Sequence, residues 1–327
     1  MNINSVIKNG LTFIEITNNK NLRVTFCNLG ASIFSIYLND YCLTRNVKNV
    51  EDFKLPSIYY GKTIGRVSNR TKGHKFSIHG TIYNIEPNEG NNVLHGGKYG
   101  LSNALFDAKT VSYDDRVEVI FHHVAKHLED GYPGNLDLEV KYIVYLLEDN
   151  LDVLFNANSD MDSVLSLTNH SYFTLGCRSI KGLTLQINAD KYLHTDCATL
   201  LPISVEEVNK TLDFRKPKKF FYDIQDKALH INRFNGYDHF YYLNKKDINE
   251  KALTLSNSKI EMDVYTDFEG IQIYTSGFHP GVELYPRASG LYDSVAIEPS
   301  DSFEKYHLLK KDVLYSRTIK YIFKYKD

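Results

Sequence analysis

The sequence predicts an all-β chain folded as a large antiparallel β-sandwich with few short helices, and three observations carry that prediction. Apolar and polar residues alternate with a period of two through many short stretches, the pattern of half-buried strands. Long apolar patterns of period 3.6 are scarce, which argues against a βαβ arrangement. Tyrosine (24) and phenylalanine (18) are abundant in a chain without tryptophan, and aromatic residues favour strands.

Along the chain, strands are expected at 11–17, 22–26 and 31–38. The second shows the alternation plainly, in Leu22-Arg23-Val24-Thr25-Phe26. Within 76–85, His79-Gly80 suits a hairpin turn. Further strands are expected at 117–123, 138–146, 151–157 and 183–188. At 260–264, Ile260, Met262 and Val264 oppose Glu261 and Asp263. Strands at 271–275 and 294–297 follow. Near the C-terminal end Ile319, Tyr321, Phe323 and Tyr325 share one face, with Thr318, Lys320 and Lys324 on the other. Two sheets of this kind bury one face each against the other.

At about 150 residues per domain, 327 residues allow one domain or two. No Pro/Gly/Ser-rich linker and no internal repeat interrupts the chain. The polar stretch 244–251 reads as a surface loop. A single domain over residues 1–327 is therefore expected.

Composition excludes several classes. Hydrophobic residues make up 43% and charged residues 24%, which is globular and rules out disorder, collagen and coiled coil. The best apolar run, Tyr142 to Leu147, falls far short of the ~20 residues that span a bilayer. Residues 1–20 lack the basic start and apolar stretch of a secretory signal. Thirty-eight basic residues against 40 acidic leave a net charge of −2, so neither nucleic acid nor a membrane is expected as a partner. Cys27, Cys42, Cys177 and Cys197 form no CxxC pair. They read as free thiols in a reducing cytoplasm.

Several motifs fail on inspection. Gly61-Lys62-Thr63 resembles the end of a phosphate-binding loop, but that loop needs a glycine five positions before Gly61, where Pro56 stands. His123 and His127 have the spacing of a zinc-binding helix pair, but position 124 is valine and the segment lies beside a strand. Neither a GxSxG nucleophile elbow nor a GxGxxG dinucleotide fingerprint is present.

Polar chemistry concentrates in five segments. These are Gly65–Arg70, Asn92–Gly97, Leu167–Phe173, Gly236–His239, and Gly270–Gln272 together with Val295–Pro299. Each has a purely structural alternative. A strand histidine is commonly a hydrogen-bonded core residue. Arg70 suits an ion pair, Gly96-Gly97 a tight turn, Asp238 a turn cap, and Glu298 before Pro299 an edge strand.

Together the segments resemble the aldose 1-epimerases, also called galactose mutarotases. The matches are Gly65 with Asn69-Arg70, Leu94-His95-Gly96-Gly97, Asp130-Gly131-Tyr132-Pro133-Gly134-Asn135-Leu136, Thr168-Asn169-His170-Ser171-Tyr172-Phe173, Tyr237-Asp238-His239, Gly270-Ile271-Gln272 with Tyr274-Thr275, and Glu298. They run in the family's order across nearly the whole chain. The resemblance implies a large antiparallel sandwich with a sugar cleft across one sheet. It implies interconversion of the α- and β-anomers of a free aldose such as galactose or glucose, with no cofactor and no metal. Glu298 then resembles the catalytic base and His170 the catalytic acid. His95, Arg70, Asp238, Gln272 and Asn69 resemble the contacts that orient the monosaccharide.

The residue types suit that chemistry. Opening a hemiacetal ring removes a proton from the C1 hydroxyl and gives one to the ring oxygen. With an ordinary pKa near 4.3, Glu298 is expected to be ionised at pH 7. A carboxylate nearby is expected to raise the protonated share of His170. Departures from the family pattern border the cleft and bear on the choice of sugar: Pro299-Ser300-Asp301-Ser302 follows the glutamate, and Phe240 follows His239. Other readings are a non-catalytic sugar-binding domain on the same fold, a hexose-6-phosphate 1-epimerase that groups Arg66 and Arg70 on one strand face, and a glycoside hydrolase using two carboxylates.

Overall fold

A computed structural model of the chain describes residues 1–196, 198–224, 236–277, 281–288 and 290–326. Three larger sheets organise it. A five-stranded meander runs through Asn2–Lys8, Leu11–Thr17, Leu22–Cys27, Ser32–Leu38 and Tyr41–Cys42. A nine-stranded sheet begins with Asp107–Ser112, Arg116–Ala125, Leu136–Tyr145 and Asn150–Ser159. It continues through Tyr315–Tyr325, Ile260–Thr266, Leu253–Ser256, Thr184–Ile187 and Lys218–Lys219. The eight-stranded sheet holds, in spatial order, Pro202–Glu207, Lys191–Thr195, Asp238–Tyr242, Gly270–Tyr274, Val295–Ser300, Tyr172–Phe173, Thr44–Val47 and Leu284–Tyr285. Among the described residues the one α-helix is Val50–Phe53, and no helix is long and apolar enough to cross a membrane.

One apolar core joins the sheets. Tyr142, Val153, Phe155 and Tyr321 of the nine-stranded sheet share a buried cluster with Ile271, Ile273, Val295 and Ile297 of the eight-stranded one. Val24, Phe26 and Ile36 of the meander belong to it too. Aromatic contacts bridge the layers: Phe173 lies 5.4 Å from Tyr321, and Phe26 stacks on Tyr142 at 4.7 Å. Strand alternation now has a functional consequence. With Ile271, Ile273, Val295 and Ile297 facing this core, Gln272, Tyr274, Ala296 and Glu298 face the other side of the sheet.

Every strand expected from alternation is present, with ends shifted by a few residues; 76–85 is a hairpin of Lys75–Ile78 and Thr81–Asn84. Residues 244–251 form no strand. Several strands were not foreseen. Asn2–Lys8 is exposed along its whole length, so nothing imposes alternation on it. Asp238–Tyr242 is the opposite case: His239, Phe240 and Tyr241 are all buried, and the strand has no polar face. Asp107–Ser112, Lys191–Thr195, Pro202–Glu207, Leu253–Ser256, Thr44–Val47 and several two-residue strands are others. Cys27, Cys42 and Cys177 are free thiols; Cys197 lies outside the described residues.

Two features near the future site are structural. Arg66 is completely buried. Its Nε donates to Asp130 at 2.8 Å, and its remaining N–H groups meet the carbonyls of Pro133, Gly134, Ala125 and Lys126. The Asp130–Gly134 motif is therefore a socket for this guanidinium. Arg66 and Arg70 do not share a strand face: residues 65–69 are not a strand, and only Arg70–Thr71 is. Gly96 sits at φ +83, where a Cβ would come within 1.9 Å of the Gly65 carbonyl. Close approach demands glycine there, beyond any turn requirement.

Removing a partner from a buried ion pair costs about 3–5 kcal/mol. Arg66→Met is expected to lose stability in that range, read by urea unfolding. A loss below about 1 kcal/mol, the scale of an exposed pair, would contradict the socket.

Candidate active site

Strand register builds the floor of a cleft. Glu298 lies opposite Gln272, and Gln272 opposite Phe240. In the adjacent row Asp238 faces Tyr274, Tyr274 faces Ala296, and Ala296 faces Tyr172. Glu298 is thus on an interior strand, flanked by Gly270–Tyr274 and Tyr172–Phe173, and not on an edge.

His170 follows the short strand Thr168–Asn169 and is seated by its own backbone. The Gly61 N–H donates to the His170 carbonyl, and the His170 N–H donates to the Lys62 carbonyl, both at 2.9 Å. Asn169 braces the same turn by donating to the Gly61 carbonyl at 2.8 Å and accepting from Ser171 Oγ at 2.6 Å. The imidazole stacks on Tyr172 at 4.9 Å and meets the His95 ring edge-on at 5.2 Å. Its Nε2 stands 3.3 Å from Glu298 Oε1, and both side chains are 4% exposed.

His95 enters from the strand Val93–Leu94, which pairs with Arg70–Thr71. Its backbone N–H donates to the Asn69 carbonyl at 2.9 Å, and its ring Nδ1 accepts the Asn69 N–H at 3.2 Å. A ring nitrogen that accepts from an amide has no proton. His95 is therefore neutral, with its hydrogen on Nε2. Burial agrees: desolvation, then the nearby His170 and Arg70, hold its pKa well below the ordinary value.

A directed hydrogen-bond chain crosses the cleft. Arg70 Nη1 donates to Asn69 Oδ1 at 3.4 Å. Asn69 Nδ2 donates to Gln272 Oε1 at 3.2 Å, and Gln272 Nε2 donates to Asp238 Oδ1 at 2.5 Å. A cation at one end and a carboxylate at the other orient both amides. Arg70 also grips Glu89 bidentately, Nε to Oε2 at 2.7 Å and Nη2 to Oε1 at 2.9 Å.

Charge in this cleft is governed by burial. Desolvation pushes the Glu298 carboxyl well above its ordinary value, Asp238 adds to the effect, and Arg70 opposes it. Desolvation alone pulls His170 down to about 3. Both directions are the reverse of the sequence expectation, which weighed the attraction between the two groups and not the loss of water around them. Burial therefore biases the pair toward its uncharged form, with the proton on the carboxyl side.

His95, His170 and Glu298 bring potential ligand atoms within 4.8 Å of one another, and imidazole with carboxylate can hold zinc. The donor set does not suit it: the Nδ1 lone pair of His95 is engaged by Asn69, and Nε2 carries the hydrogen. Among the described residues His123 and His127 belong to no group of three potential ligands; His123 Nδ1 meets the Leu105 carbonyl and His127 Nδ1 accepts from the Gly134 N–H.

Asn69, Arg70, His95, His170, Asp238, Gln272 and Glu298 all line one cavity of about 250 Å³. Sequence reasoning missed Tyr59, Tyr274 and Glu89 in the same wall. Tyr59 lies 4.8 Å from His95 and 5.9 Å from His170, touching both rings. The tyrosine content was a signal for such residues, but a β-rich chain uses tyrosine everywhere. Nothing in the local sequence marks Glu89.

Comparison with known proteins agrees with this geometry. The sequence model of the aldose 1-epimerase family matches residues 12–310. A mouse protein named galactose mutarotase is 33% identical over 250 residues, 71% of this chain and 68% of its own. The human galactose mutarotase is 30% identical over 289 residues, 82% of this chain and 80% of its own. The crystal structure of galactose 1-epimerase from Lactobacillus acidophilus NCFM superposes with a TM-score of 0.90 at 26% identity, covering 100% of this chain and 99% of that one. A cleft with an imidazole and a carboxyl at its floor, on a sandwich of this topology and with these relatives, makes the chain a member of the aldose 1-epimerase family.

Proposed function

We propose that the cleft interconverts the α- and β-anomers of free aldoses such as galactose or glucose, with Glu298 as base and His170 as acid. The observation that carries this reading is the 3.3 Å approach of His170 Nε2 to Glu298 Oε1 at the floor of one cavity. Two groups so close can reach O1 and O5 of the same hemiacetal carbon. His95 offers an Nε2–H donor, while Arg70, Asn69, Gln272 and Asp238 offer a fixed array of donors and acceptors to the sugar hydroxyls. Tyr59, Tyr172 and Tyr274 offer apolar faces to its C–H groups.

One proton on the pair serves the whole cycle. With the pyranose bound, the Glu298 carboxylate takes the O1 proton and the His170 imidazolium gives its proton to O5. The C1–O5 bond breaks with its electron pair on O5, and C1=O1 forms. Glu298 is now protonated and His170 neutral. Rotation about C1–C2 turns the aldehyde over. O5 then attacks C1, His170 recovers the O5 proton, and Glu298 returns its proton to O1. The neutral pair favoured by burial is thus the form that accompanies the open-chain sugar. The charged form needs proton transfer from Glu298 to His170, and sugar hydroxyls that hydrogen-bond the carboxylate favour it.

We also read residues 1–327 as one domain, supported by a core cluster running from Ile14 to Phe323, and the protein as cytoplasmic, supported by its sparse cysteines.

Polarimetry on freshly dissolved α-galactose or α-glucose tests the activity; decay no faster than in buffer would leave only a sugar-binding domain. Glu298→Gln is expected to lower kcat at least ~10²-fold with the fold retained, and His170→Asn similarly. A variant within about threefold of the parent would mean that its role is misassigned. Because a singly protonated pair is required, kcat/KM is expected to be bell-shaped in pH, its limbs belonging to the pair and not to either residue. The acid limb is expected near pH 3, where His170 takes a second proton; an acid limb near 6.5, the ordinary histidine value, would contradict the buried couple.

Stability should carry the same signature. Folded His170 stays neutral down to about pH 3, whereas an unfolded histidine charges below about 6.5. Between those values the unfolded chain binds the extra proton, so stability falls as pH falls. From pH 7 to 5 this residue should remove about 2 kcal/mol. His170→Asn should lose that much less over the interval, by urea unfolding. Equal losses would mean that the imidazole protonates inside the folded cleft.

A further inference from the structure

We propose that Glu89 sets the charge of sugar the cleft accepts: by holding the Arg70 guanidinium in a bidentate pair it denies that cation to anionic substituents, so the site takes aldoses without a carboxylate or phosphate. This rests on the reading of the cleft as an aldose site and narrows its substrate class.

The geometry assigns the role to one pair. Arg70 is 9% exposed and Glu89 is 34% exposed, so the carboxylate lies toward the mouth and the guanidinium beneath it. Both oxygens of Glu89 are used, on Nε and Nη2 of the same fork. The third edge of that fork is committed to Asn69. Such fork-to-fork pairs are among the strongest and most directional polar contacts. Glu89 is itself held in place, since its N–H and carbonyl both pair with Asn92.

No other permanent cation among the described lining residues could take over. Arg66, four positions away, is buried in the Asp130 socket. Lys62 is completely buried, lies over the Phe53 ring at 4.7 Å, and does not line the cleft. Against the one guanidinium stand three carboxyl groups, Glu89, Asp238 and Glu298. An incoming carboxylate or phosphate would meet these groups, or would have to break the Arg70 pair and leave Glu89 uncompensated. Either is repulsive discrimination built into the site.

The experiment compares galacturonate with galacturonamide, the uncharged amide of nearly the same size, by polarimetry in the parent protein and in Glu89→Gln. In the parent, kcat/KM for the amide is expected to exceed that for the acid at least tenfold. In Glu89→Gln, which keeps the side-chain size and removes the charge, the ratio is expected to shrink at least threefold. Thermal unfolding establishes that the variant is folded. Equal use of acid and amide by the parent, or an unchanged ratio in the folded variant, would overturn the proposal. The same ranking is read by calorimetric binding, which needs no turnover. Absence of mutarotation with the binding ranking intact would sink the catalytic reading alone, whereas normal turnover of galactose with no ranking would sink this one alone.

Discussion

Everything catalytic in this molecule depends on the main-chain seat of His170. Two backbone hydrogen bonds, to Gly61 and Lys62, fasten the histidine to the segment that carries Tyr59. Two residues further on, Tyr172 pairs with Ala296, two residues before Glu298. The imidazole and the carboxyl are thus joined through a short run of backbone, and neither relies on a flexible loop for its position. A proton pair that must work within one hydrogen-bond length needs this rigidity.

Burial then decides the electrostatics. Both groups are almost without solvent, and each is driven toward its uncharged form. A surface pair of the same residues would favour imidazolium and carboxylate. Here the balance tips the other way, because the charged arrangement loses hydration that the neutral one never needed. The directed chain from Arg70 to Asp238 completes the setting, since its amides have no alternative orientation to relax into.

The two neighbouring arginines show how little local sequence says about a side chain's task. Arg66 and Arg70 stand four residues apart and read alike as candidates for binding an anion. One disappears into a socket of carbonyls and Asp130, and holds the loop that presents the other. The other reaches the cleft already paired. Glu89 and Asp130 make that difference, and both come from elsewhere in the chain.

By itself the sequence determined the sandwich and the strands with one wet face; the seven polar residues that line the cleft were legible through the resemblance to a known family. Period-two alternation is a local property, and the polar segments stand out because each interrupts it or borders it. Two of the strands that escaped, Asn2–Lys8, exposed throughout, and Asp238–Tyr242, buried at its three central residues, carry no alternation to read. Only the tertiary structure decided that Glu298 is interior, that burial drives the carboxyl and imidazole toward their uncharged forms, and that Tyr59 and Glu89 belong to the site. Those properties arise from water removed and from partners brought together across long sequence separations, and neither leaves a mark on the residues that experience it.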